Sequence, residues 1–154
     1  MVTQFTWSPL PFGKHMRKTL PQVALSDPDW LFWAVGNGKI YGSLADEAYE
    51  IVRKATRIKI PKPDPENWRV EYRFYYQDDS FLDFSIIEAQ KAVEYSSVEI
   101  STFLDLSIPR QRKPYDKFGC KRMLDKFRQY YFDGGNLTKE RCEQFFYNEA
   151  NFVL

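Results

Sequence analysis

"WRVEYRFYYQDDSFLDFSIIE", residues 68 to 88, decides the fold class. Val70, Tyr72, Phe74 and Tyr76 alternate with Glu71, Arg73 and Tyr75. After the polar turn "QDDS", Leu82, Phe84 and Ile86 alternate with Asp83 and Ser85. A period of two sends one set of side chains to each face of a pleated strand. Two such runs joined by a polar turn read as an antiparallel hairpin, over about 68 to 87. "VEISTFLDLSI", 98 to 108, offers a further strand, ended by Pro109.

On either side of this hairpin the pattern is helical. In "SDPDWLFWAVGNG", Asp27 can cap a helix, Pro28 suits its first position, and Asp29 sits at the positive end of the dipole. Trp30, Trp33 and Ala34 then share one apolar face, and "GNG", 36 to 38, stops the helix. "SLADEAYEIVRKATRI" starts another. Ser43 is its expected cap, with Asp46 at capping-box distance. Leu44, Ala48, Ile51, Val52 and Ala55 form the inner stripe, while Glu50 and Lys54 pair on the outside. "KIPKPDPEN", 59 to 67, carries three prolines in five positions and reads as an extended connector.

Beyond the third strand, Pro114 can begin a helix through Met123, Phe127, Tyr130 and Tyr131, with Gly119 a poor helix former in its first turn. "DGGN" breaks it. Thr138 then caps a last helix, with Arg141 at its third position and Cys142, Phe145 and Phe146 facing inward. "QFTWSPLPF", 4 to 12, reads as a short strand stopped by Pro9 and Pro11. The expected fold is α+β: one small antiparallel sheet with about four helices packed on it, in a single domain spanning 1 to 154.

The composition agrees with a compact fold. The chain has 154 residues, 44% of them hydrophobic, with 13 Phe, 10 Tyr and 4 Trp. Aromatic rings bury much area per residue. No run approaches the ~18 apolar residues of a membrane span, and "MVTQFTWSPL" lacks the charged and apolar regions of a signal peptide. A cytoplasmic protein with two reduced thiols, Cys120 and Cys142, is expected.

Catalytic chemistry finds few candidates. His15 is the single histidine, no nucleophile is placed beside it by spacing, and a lone histidine in a basic loop reads as a surface residue. Asp83, Glu88 and Lys91 faintly resemble a metal-dependent nuclease set. Yet Asp83 and Glu88 are an odd number of residues apart, on opposite faces of a regular strand. No phosphate-cradling glycine loop is present. Neither a catalytic residue, a metal site nor a cofactor is expected.

Two basic segments remain. In "PFGKHMRKTL", 11 to 20, they are Lys14, His15, Arg17 and Lys18. In "RQRKPYDKFGCKR", 110 to 122, they are Arg110, Arg112, Lys113, Lys117, Lys121 and Arg122, against one acid, Asp116. Aromatics lie among them: Trp7 and Phe12 near the first, Tyr115 and Phe118 in the second. Cations that neutralise phosphates beside rings that stack on bases suit single-stranded nucleic acid. Against this stands a formal net charge of only +1, from 22 basic and 21 acidic residues. In the plainer alternative, both segments are solvated loops whose arginines pair with nearby acids.

Pro11, Phe12, Gly13, Lys14, His15, Lys18, Asp27, Pro28, Trp30 and Trp33 together resemble a small module, covering 9 to 38. It follows the nuclease domain in exodeoxyribonuclease X-like enzymes and recurs in a family of quorum-sensing-regulated virulence factors. The resemblance implies a nucleic-acid-associated accessory module without the nuclease domain. Where the module has a second glycine, this chain has Arg17, so the second half of the turn is expected to differ. The "RCEQFF…NF" ending looks similar to uncharacterised proteins of bacterial mobile elements and phages.

The expected function is therefore a non-catalytic nucleic-acid-binding accessory protein of a mobile element or phage-related system, with single-stranded DNA or RNA favoured. The alternative is a protein-interaction factor docking on a nucleoprotein complex. A metal-dependent nuclease is the remote third.

Overall fold

The computed structural model describes residues 7 to 154. Six helices and two small antiparallel sheets make an α+β fold. The helices are α1 (Leu20–Ser26), α2 (Pro28–Gly36), α3 (Ser43–Ala55), α4 (Ile108–Arg112), α5 (Lys117–Tyr131) and α6 (Lys139–Tyr147). The strands are β1 (Ile58–Lys59), β2 (Trp68–Phe74), β3 (Phe81–Glu88), β4 (Val98–Ser101) and β5 (Phe103–Leu104).

The hairpin forms as its alternation requires. Tyr72 faces Phe84 and Val70 faces Ile86 across β2 and β3. Its far end departs from strict alternation. Arg73 pairs with Asp83 but Phe74 pairs with Phe81, so Leu82 is the extra residue of a bulge. The bulge resets the parity of β3, and Phe81 is fully buried where Leu82 was the expected inward residue.

β2 is the central strand, with β3 and β4 on its two edges. Its second face is covered as well. Arg69 and Glu71 are buried there as an ion pair of 2.9 Å, and Arg69 Nη1 also donates to the carbonyls of Ala89 and Lys91. The loop after β3 is thereby strapped over that face.

The expected strand over 98 to 108 is three elements. Its first part, β4, joins β2; after Thr102 the chain turns away, and β5 pairs with β1 in a separate two-stranded sheet. From Ile108 it is already helical, because Pro109 suits the first turn of α4. Tyr72 pins this crossing. Its hydroxyl donates to Phe103 O and accepts from Asp105 N.

Helices α1 and α4 have no counterpart in the sequence-based expectation, which ends the strand at Ile108 and starts the next helix at Pro114; α5 starts at Lys117. In α1, Pro21 lies in the first turn and Thr19 N donates to Gln22 Oε1 at 3.0 Å, half of a capping box. Its Leu20, Val23, Ala24 and Leu25 are buried between α2, α3 and α6. Three further expectations change. Gly42, not Ser43, is the N-cap of α3. Leu31 and Ala34 bury the inner face of α2, while Trp30 and Trp33 are half-buried. Lys54 is buried, not outside: its Nζ donates to Phe146 O and meets Glu149, each at 2.9 Å, while Glu50 holds Arg53.

The connector from 59 to 67 contains Lys59 of β1, the buried Ile60 and a short 3-10 turn at Pro65–Asn67. One core of buried side chains runs from Trp7 to Phe152 and includes residues on both sides of it. α5 lies across β3, and an aromatic cluster joins its end to α6. Phe127 stacks on Tyr131 with ring centroids 4.8 Å apart and meets Phe145 edge-on at 5.5 Å. Of the strand expected over 4 to 12, residues 4 to 6 lie outside the described residues. Residues 7 to 12 contribute a single bridge, Pro9 to Thr19.

Candidate nucleic-acid interface

The basic turn is a closed loop. Leu10 N donates to Lys18 O at 2.9 Å and Arg17 N to Leu10 O at 2.8 Å, so the chain from 10 to 18 returns on itself. Two further bonds, Met16 N to Gly13 O and Lys18 N to His15 O, tighten it. Such closure needs left-handed residues. Gly13 supplies one at φ +79°, and Arg17 supplies the other at φ +75°. The arginine takes a positive φ, the conformation that favours glycine, and closes the turn from it.

Asp27 holds this loop to the helices. It is both the end of α1 and the N-cap of α2, where its carboxylate accepts from Trp30 N. The same carboxylate accepts from Lys14 Nζ and His15 Nε2, each at 2.9 Å. Burial alone would raise the pKa of Asp27, but the bonds from Lys14, His15 and Trp30 N–H outweigh it and leave the group below its ordinary value. His15 is not a surface residue: it is 8% exposed and packs edge-on against the Trp30 ring at 5.1 Å.

The second basic segment divides into two sets. Arg112 meets Asp79 at 3.3 Å and lies over the Phe74 ring, and Lys113 meets Asp78 at 3.0 Å. Arg122 donates twice to Phe81 O. These three cations dock α4 and α5 on the hairpin; of the two arginines, Arg112 pairs with an acid, as in the plainer alternative, and Arg122 holds a carbonyl instead. Arg110 reaches the other way and meets Asp29 at 3.0 Å.

The remaining members turn toward the loop. Asp116 is the N-cap of α5, accepting from Gly119 N at 2.9 Å and from Phe81 N at 2.8 Å. A Cβ on Gly119 would stand 2.1 Å from the Asp116 carboxylate, so the glycine at this point is required for the cap. Just before the cap, Tyr115 takes φ +62° and its ring is 80% exposed. Phe118 is 71% exposed one residue after Lys117.

Between loop and helix lies a cleft of about 1040 Å³. Lys14, His15 and Lys18 of the loop line it, together with Tyr115, Lys117 and Lys121 at the start of α5. Arg17, Arg110, Arg112, Lys113 and Arg122 are not among its lining residues. Sequence reasoning missed Arg128, which lines the same cleft. The signal was present: Lys117, Lys121 and Arg128 follow one another at i, i+4, i+11, one stripe of a helix. Five cations thus face three carboxylates, Asp27, Asp29 and Asp125. Lys18, Lys117 and Lys121 make no ion pair with the described residues.

Other chemistry has little support here. Cys120 also lines the cleft, but burial, with Asp29, Asp116 and Asp27 adding to it, pushes its thiol up to about 12. It remains a neutral thiol and a poor nucleophile. Cys142, buried in α6, is pushed up to about 11. Asp83 accepts from Arg73 Nε at 2.8 Å, and Glu88 is exposed at the end of β3. Among the described residues no three His, Cys, Asp or Glu side chains are grouped to hold a metal ion. Nor is any helix among them long and apolar enough to cross a membrane. Comparison with protein-family models, curated proteins and solved structures found no match.

Proposed function

We infer that this chain is a nucleic-acid-binding accessory protein that acts without catalysis. One observation carries the proposal: residues of two basic segments about 100 residues apart in the chain line one cleft. Lys14, Lys18, Lys117 and Lys121 would neutralise phosphates there. Tyr115, exposed at the cleft, is fit to stack on unpaired bases, and Phe118 is a second exposed ring in the same segment. Bases are open to such stacking only in single strands, which makes single-stranded DNA or RNA the favoured partner. The resemblance of residues 9 to 38 to a nuclease-associated module points the same way and favours a mobile-element or phage-related setting.

Fluorescence anisotropy with single- and double-stranded DNA and RNA, at two salt concentrations, tests this. Single strands should bind more tightly, and salt should weaken binding. Reversing Lys18, Lys117 and Lys121 to Glu should reduce affinity roughly 100-fold. Unchanged binding in the reversed protein would reject the cleft.

A second proposal, a protein-interaction factor, draws on exposed rings away from the cleft, chiefly Tyr41, Tyr49, Tyr76 and Tyr95. It expects no intrinsic affinity for nucleic acid and a stable complex with a protein of a nucleoprotein assembly in a pull-down.

A further inference from the structure

Two buried side-chain nitrogens lack a hydrogen-bond partner among the described residues: Nδ1 of His15 and Nε of Arg128. They are far apart in sequence, yet both residues line the same cleft. A buried polar atom without a partner keeps its desolvation cost and calls for an explanation, such as a functional role or a bound water or ion. At His15 Nε2 donates to the acceptor-only carboxylate of Asp27, which leaves Nδ1 of the neutral ring as an acceptor, able to take a hydrogen bond from the P–OH of a monoester but none from a diester. At Arg128 the guanidinium is nearly free, since its Nη2 comes no closer than 3.8 Å to Asp125.

We propose that the cleft seats the terminal phosphomonoester of a nucleic-acid strand, and that Arg128 and His15 distinguish this end group from the internal backbone. The proposal rests on the nucleic-acid function given above and names the part of the strand that enters the cleft. A terminal phosphate carries nearly two negative charges and three free oxygens, whereas an internal diester carries one charge and two. The unpaired Lys18, Lys117 and Lys121 match the greater charge. The planar fork of Arg128 suits two phosphate oxygens at once. Asp27, Asp29 and Asp125 line the cleft as well, so a run of diesters through it would meet three like charges. Tyr115, mostly exposed at the cleft, is in place to stack on the terminal base.

The test uses one short single-stranded oligonucleotide, labelled internally, in three forms: 5′-phosphorylated, 3′-phosphorylated and hydroxyl at both ends. Anisotropy titrations should show one phosphorylated form binding about tenfold more tightly than the hydroxyl form. Which form wins identifies the strand end, and inorganic phosphate should erase the advantage. Arg128→Gln and, separately, Arg128→Lys, which keeps the charge but loses the planar fork, should lower the preference while hydroxyl-ended binding persists. Circular dichroism melting checks that both variants are folded, and Arg128→Lys serves if Arg128→Gln is not. Equal binding of all three forms by the wild-type protein overturns the end-group proposal and leaves nucleic-acid binding standing. Binding of none of them overturns both. A preference that survives both folded variants overturns the assignment to this cleft.

Discussion

Arg17 shows how much one backbone angle can carry. It closes the basic turn from the left-handed region at φ +75°, where a side chain with a Cβ costs roughly 1–2 kcal/mol. Arg17→Gly should therefore stabilise the protein by about 0.5–1 kcal/mol, the gain being reduced by the greater entropy of glycine in the unfolded chain. Arg17→Val should destabilise it. Urea midpoints for the two variants check both signs, and a loss of stability in Arg17→Gly would show that the arginine side chain holds the turn. Asp27 gives a second case. Its carboxyl pKa is lower in the folded protein than in the unfolded chain, so its stabilisation is fully present above the unfolded value. That stabilisation is lost as pH falls through the folded value. Below about pH 4 the wild-type protein should lose stability more steeply than Asp27→Asn, which has no such charge to protonate. Urea melts at several acidic pH values measure the difference.

Among the elements, α5 joins the fold and the cleft. Its outward stripe carries Lys117, Lys121 and Arg128, and its inward face buries Met123 and Phe127. Its start is tied to β3 by one side chain, Asp116, through Gly119 N and Phe81 N. Gly119→Ala would push a methyl into that carboxylate and should cost roughly 1–3 kcal/mol, since both amides lose their acceptor if Asp116 moves. Thermal melting reads the loss, and Tm unchanged from wild type would show that the cap adapts. Much of the element order was legible in local chemistry. The alternation of β2 and β3, Asp27-Pro28 before α2 and Thr138 before α6 all act within a few residues of themselves. What escaped depended on distant partners. The break at Thr102 between β4 and β5 follows from β1 and β2 claiming different parts of one β-like stretch. The bulge at Leu82 likewise puts Phe81, in place of Leu82, edge-on against Phe74 in the core.

At the scale of the molecule, the basic residues divide between holding the fold and facing the cleft. The salt dependence of binding should report that division. For single strands the slope of log affinity against log salt changes by about 0.7 per phosphate contacted. Removing Lys117 and Lys121 as alanines should make it shallower by about 1.4. Removing Arg112 and Lys113 should leave it as it was, because those two meet Asp79 and Asp78 on the hairpin turn. A slope that moves equally in both pairs would place the interface elsewhere. Candidate cations were legible from composition, but their roles were not: a lysine in sequence has no partner until the chain has folded. His15 is the sharpest example, a lone histidine in a charged loop that Asp27 and Trp30 bury. By itself the sequence determined the α+β class, the hairpin, both ends of α2 and the start of α6, since side-chain periodicity, proline geometry and caps act locally. Only the tertiary structure decided that residues 14 to 18 meet α5 across one cleft and that Arg112, Lys113 and Arg122 turn away. Charge acts through space, and only folding sets how far apart two charges stand.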